Sequence, residues 1–207
     1  MAKLAEGVGN RMFSEIRIYF EGDNLLKPGF DDFFEEIKKR ARERRCRFLP
    51  ISAGSGDTAC RDFGIALRTH PDAWNILLRD SEGPADANAS ASLCRQHGWD
   101  KSHAGSIFWM VQMMEAWFHA DKGALQKFYG NGFKENALKK NPMVEEIPKK
   151  DLEDGLRDAT KKTDKGDYFE NKTSHGPKLL AAVKPEAVRK AAPNCQRLFE
   201  AVLTRLA

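Results

Sequence analysis

The chain of 207 residues predicts an α/β fold: a mainly parallel sheet flanked by helices, with a helical C-terminal portion. Three observations carry this. Short β-branched or aromatic runs alternate with longer amphipathic stretches, the pattern of a parallel sheet whose crossovers cover its faces. The first and third of these runs end in acids set among turn-forming residues. After Asn141-Pro142 the composition shifts towards Lys, Asp and Glu, and helices take over. We therefore divide the chain into a sheet domain over 1–140 and a helical portion over 141–207 packed on it; the length also suits one cooperative unit.

Ile16 to Phe20 (IRIYF) reads as the first strand, stopped by Glu21-Gly22-Asp23-Asn24. From Phe30, the residues Phe33, Phe34, Ile37 and Ala41 recur at helical spacing. Acids precede bases along this stretch, which suits the helix dipole and predicts one helix to about Arg45. Arg47 to Ser52 is the second strand, and Asp57 or Thr58 caps a helix running to about His70. Trp74 to Asp80 is the third strand, followed by Ser81-Glu82-Gly83-Pro84. Residues 83–104, rich in Ala, Ser, Asp and Gly, read as a long polar connection. A fourth strand is expected over 107–111 and a helix from Met113, then helices near 149–162, 175–191 and 194–206.

Composition narrows the function classes. Apolar residues make up 41% and charged residues 31%, as in a globular protein with a real core. The N-terminal segment lacks the apolar run of a signal peptide, and Ile107 to Phe118 is interrupted by Gln112 and Glu115, so a soluble, cytoplasmic protein with no membrane partner is expected. Cysteines at 46, 60, 94 and 195 show no CxxC spacing, which favours buried, reduced thiols over zinc or disulfides. A formal charge of +4 permits a polyanionic partner without demanding one.

The acids at strand ends carry the chemistry. In open α/β sheets ligands bind beyond the carboxyl ends of the strands, near the point where strand order reverses, which places Glu21 and Asp80 together. Asp80 and Glu82 are two apart, so in extended backbone their carboxylates project to one side. Clustered oxygen ligands without Cys or a His motif suit Mg²⁺ or Mn²⁺.

The Glu21-Gly22-Asp23 block followed by Asp80-x-Glu82 resembles the Toprim signature, a glutamate-glycine motif and a later DxD. The blocks RIYFEGD, LLRDSEGP, MVQMMEAWFHAD, LQKFYG and KTSHGPKLL resemble the domain of unknown function 4276 family, over roughly residues 16–203. That resemblance implies a Toprim-like, Rossmann-like fold and an association with ATPases of phage defence. It implies Glu21 as the Toprim glutamate and Asp80 with Glu82 in the DxD place, where the second acid is Glu instead of Asp. It marks Glu115 as a further acidic position, and Lys172 and His175 as residues for phosphate binding or proton transfer.

The expected activity is metal-dependent phosphodiester hydrolysis of RNA or DNA, with one or two ions, Glu21 as general base, and a partner ATPase because the chain has no Walker motif. A homo-oligomer is compatible with this. The rival is a non-catalytic module that binds nucleic acid or an ATPase and uses its acids for structure. Among other features, the seven bases of Lys38–Arg47 either track a phosphate backbone or form a solvated helix face. Gly54-Ser55-Gly56 lacks the spacing of a nucleotide loop. Glu115 is open between pairing with a base and a site role. Trp109, Trp117 and Phe118 read as core, and Lys149 as remote from the acids.

Overall fold

The computed structural model describes residues 13–207. Four strands, β1 (Glu15–Phe20), β2 (Arg47–Ser52), β3 (Trp74–Asp80) and β4 (Ile107–Met110), form one parallel sheet in the order β2-β1-β3-β4. The chain builds β1, steps outward to β2, returns across β1 to β3, and continues to β4. Strand order therefore reverses between β1 and β3, and their carboxyl ends flank the crevice where α/β sheets place ligands.

Alternation along the strands feeds two apolar layers. Ile16, Ile18 and Phe20 of β1, with Ile76, Leu78, Phe108 and Met110, face the larger one. That layer is closed by α1 (Lys27–Phe33), α2 (Glu35–Glu43), α5 (Ala116–Ala120), α6 (Lys122–Tyr129), α7 (Lys149–Thr160), α8 (Lys172–Ala182), α9 (Pro185–Ala191) and α10 (Pro193–Arg205). Tyr19, Leu77, Ile107 and Trp109 face the smaller layer, under α3 (Gly56–Thr69) and α4 (Ala89–His97). Phe20 and Phe108 share one core with Leu198 and Phe199, so the C-terminal helices form the second layer of the sheet domain's own core.

Several expectations change in detail. The helix expected from Phe30 to Arg45 is two, broken at Phe34, where the backbone leaves helical geometry (φ −94°, ψ 17°). The break lets the adjacent rings of Phe33 and Phe34 both reach the core, with centroids 5.4 Å apart in an edge contact. The polar connection over 83–104 contains α4, held by the buried pair Leu93 and Cys94 and ended by Gly98 in the left-handed region. The helix expected over 175–191 begins at Lys172 and splits before Pro185, which starts α9 in the first-turn position that proline tolerates. Helix α6 was not foreseen. Trp109, Trp117 and Phe118 are buried as expected, as are all four free cysteines. No helix among the described residues is long and apolar enough to cross a membrane.

Candidate metal centre

Glu21 is the first residue past β1, and its N–H still donates to Leu78 O at 2.9 Å, so the β1–β3 pairing extends one step into the site. Gly22 then turns the chain at φ +136°, where a Cβ would also lie 2.5 Å from Leu26 Cδ1. Only glycine suits that position. Gly22 and Gly54 exchange two backbone hydrogen bonds (2.7 and 2.9 Å), clasping the loops after β1 and β2.

The Glu21 carboxylate is held from two sides. Its Oε2 accepts from the Asp80 backbone N–H at 3.1 Å, and the Gly56 N–H also donates to the carboxylate. An added Cβ at Gly56 would lie 2.9 Å from Glu21 Oε2 and 2.7 Å from Arg79 Nη2, so only a hydrogen fits there. Arg79 Nε stands 3.9 Å from Glu21 Oε2, a loose contact, while Arg79 Nη1 donates to Cys60 Sγ at 3.2 Å. Asp80 Oδ1 accepts from the Met114 N–H at 2.9 Å.

Glu82 joins this pair by a different route from the one expected. Strand β3 ends at Asp80, and Glu82 sits at φ +60°, so extended backbone is not what aligns the two carboxylates. The left-handed turn folds Glu82 back, and single carboxylate oxygens of Glu21, Asp80 and Glu82 all lie within 4.8 Å of one another. Glu82 Oε2 also accepts from Lys149 Nζ, which corrects the reading of Lys149 as remote. Lys149 starts α7, and its backbone N–H donates to Gln112 Oε1 at 3.1 Å, which docks that helix end on the site.

Beneath the cluster lies Glu115, fully buried. Its Oε1 accepts from Tyr168 Oη and from Lys172 Nζ, each at 2.8 Å, while Oε2 has no hydrogen-bond partner. Lys172 is half exposed and lines, with Glu21, Leu26, Asp80, Met114 and Thr173, a cavity of about 270 Å³. His175, expected alongside Lys172, is not there. Its Nδ1 meets Tyr129 Oη of α6 at 3.1 Å, and it lines a different cavity.

Electrostatics follow from burial. Asp80 is pushed well above the carboxylate range, first by burial and then by the negative charges of Glu115 and Glu21, with Lys172 opposing. Glu21 shifts upward mainly through burial, against the hydrogen bond from the Asp80 N–H. Burial works against the Lys172 ammonium, but the Glu115 carboxylate outweighs it and raises Lys172 on balance. Lys149 is raised by its bond to Glu82. The centre is an excess of carboxylate facing a cavity, with ammonium groups at its rim.

Residues 19–203 match a model of the family described as Domain of unknown function (DUF4276). The chain belongs to this family. Its match begins within β1 and ends within α10, and so takes in every acid of the cluster, Glu115, Lys149 and Lys172. No curated protein and no solved structure matches the chain.

Sequence reasoning named Glu21, Asp80, Glu82, Glu115 and Lys172, which the fold gathers in one neighbourhood. It missed Lys149, Arg79, Gly56 and Tyr168. Arg79 had a signal, being the base next to Asp80 at a strand end; Lys149 and Tyr168 had none.

Proposed function

We propose that the protein is a metal-dependent phosphodiesterase acting on nucleic acid, with Glu21, Asp80 and Glu82 holding Mg²⁺ or Mn²⁺. The observation that carries the reading is the convergence of three carboxylates at the β1/β3 crevice, with Asp80 raised by burial and then by its acidic neighbours. The donor set fits the ion: all ligands are carboxylate oxygens, and a divalent cation would relieve repulsion that Lys172, Lys149 and Arg79 offset in part. Once bound, such an ion supplies charge against a phosphoryl oxygen and a more acidic water.

The chain's own groups divide the remaining work. Glu21, oriented by the Asp80 and Gly56 N–H groups and shifted upward, takes the proton of the attacking water. Lys172, fixed by Glu115 at the cavity wall, holds positive charge where phosphate oxygens sit. Leu26 and Met114 keep part of the cavity apolar. The four free, buried cysteines fit a reducing cytoplasm. An ATPase partner belongs to this reading as the source of regulation.

One observation favours the second reading, a non-catalytic module binding nucleic acid or an ATPase: Glu82 is already paired with Lys149. The test measures cleavage of single-stranded and duplex RNA and DNA with Mg²⁺ or Mn²⁺, with and without any ATPase encoded beside the gene. Glu21→Ala should cost about a hundredfold or more. If Glu21→Ala cleaves as fast as wild type, or wild type cleaves nothing in any arm, the module reading replaces the enzyme.

A further inference from the structure

Helix α8 separates two cavities of opposite charge. Lys172 and Thr173 line the acidic one; Ser174, His175 and Lys178, within the next two turns, line an open groove of about 780 Å³. The opposite walls of the groove come from Lys127 and Phe128 of α6 and from Lys165 in the loop after α7. Three lysines from three separate segments thus converge on one concavity that no carboxylate lines.

Lys149, Lys150, Lys161 and Lys172, on the neighbouring elements, each hold an acid within ion-pair distance. Lys127, Lys165 and Lys178 are exposed and hold none among the described residues. Asp167, two residues from Lys165, is turned away to Arg157 at 3.6 Å. Lys165 Nζ instead lies 5.4 Å from the centroid of the Phe128 ring. His175, buried at the groove floor, is held below its ordinary range by burial and by the charges of Lys178 and Lys165. The groove is a region of uncompensated positive charge with a half-buried aromatic ring in its wall.

We infer that the groove of Lys127, Lys165 and Lys178 seats the phosphates of a nucleic acid strand beside the acidic cavity. A single strand suits it better than a rigid surface partner, because backbone phosphates need point charges and the half-buried Phe128 ring in the wall gives a base an aromatic surface to pack against. Binding as such stands apart from the enzyme reading. Only the further clause, that the strand continues over α8 to Glu21 and Asp80, rests on it.

The test is binding of fluorescein-labelled single-stranded RNA and DNA to the full chain by anisotropy, in EDTA and across a salt series. EDTA keeps any cleavage out of the measurement, so loss of binding and loss of catalysis are read separately. K127Q/K165Q/K178Q should weaken binding about tenfold near 0.1 M salt and reduce the log–log salt slope by about two, the share of three neutralised contacts on a single strand. The control K101Q/K140Q/K190Q removes the same charge from exposed sites elsewhere and should change affinity much less. Thermal melts check that both variants stay folded. The inference is overturned if the two triple variants lose affinity equally, if wild type binds neither strand at low salt, or if polyglutamate displaces the strand as well as unlabelled oligonucleotide does. That last outcome would assign the groove to an acidic protein.

Discussion

The two ends of strand β1 each carry a glutamate, and they are treated in opposite ways. Glu15 enters the strand with Arg17 Nη1 at 2.6 Å and Arg47 Nη1 at 3.0 Å, so its charge is fully answered on the surface. Glu21 leaves the strand with one loose arginine contact at 3.9 Å and two other carboxylates close by. Both acids are partly exposed, and both follow from the same short β run. An acid that serves the fold is neutralised where it stands. One that the fold leaves in debt to its neighbours, at the crevice where strand order reverses, marks a place prepared for an outside cation.

Asp80 gives the sharpest way to break that contrast. Its pKa is raised in the folded state, so the fold loses stability as pH rises from the unfolded value towards the folded one, a cost that is absent below the unfolded value. Asp80→Asn keeps an oxygen for the Met114 N–H and removes the charge, so without metal its Tm at pH 7.5 should exceed wild type by several degrees, about 2–4 °C for each kcal/mol in a chain of this size. The stabilisation that Mn²⁺ gives wild type should vanish in the same variant, and in wild type it should grow between pH 5 and 8, as protons cease to compete. Scanning calorimetry with and without Mn²⁺ reads all three. A metal response that survives in Asp80→Asn would remove Asp80 from the ligand set.

A smaller effect concerns Lys149. Lys149→Met frees Glu82 from its internal partner, and metal affinity measured by titration calorimetry should rise a few-fold, since an exposed pair of this kind is worth at most about 1 kcal/mol. Unchanged affinity would mean that Glu82 stands outside the centre. Smallest is the control at the other strand end. Glu15→Gln should lower stability by less than about 1 kcal/mol in urea melts and leave metal binding as it was. A metal defect in that variant would erase the difference between the two ends.

The sequence made the sheet legible because IRIYF, RFLPIS and WNILLRD carry strand chemistry on their face, and the acids that follow them fall at a crevice set by topology. It misjudged residues whose position depends on distant packing. Glu82 reached the cluster through a left-handed turn that an alternation argument does not foresee. Lys149 lies 67 residues from the acid it pairs with, and nothing local announces that meeting. Lys172 and His175, three apart on one helix, looked like partners, yet one meets Glu115 and the other Tyr129, and they line different cavities. The α4 helix was hidden because it is built largely of small Ala and Ser residues, and what holds it, the apolar pair Leu93 and Cys94 and the buried Ser90 bonded to Ile107 and Trp109 of β4, shows no apolar periodicity in sequence.

The reach of Lys172 to Glu115 also sets an order of events during synthesis. The acids of β1 and β3 leave the ribosome about ninety residues or more before Lys172 and Thr173, which complete the lining of their cavity. Until α8 emerges and docks, Glu115 has no ammonium to meet and the cavity has an open side. A nascent chain thus carries the ligands without the enclosure, and the finished centre first exists once α8 has been made and has docked.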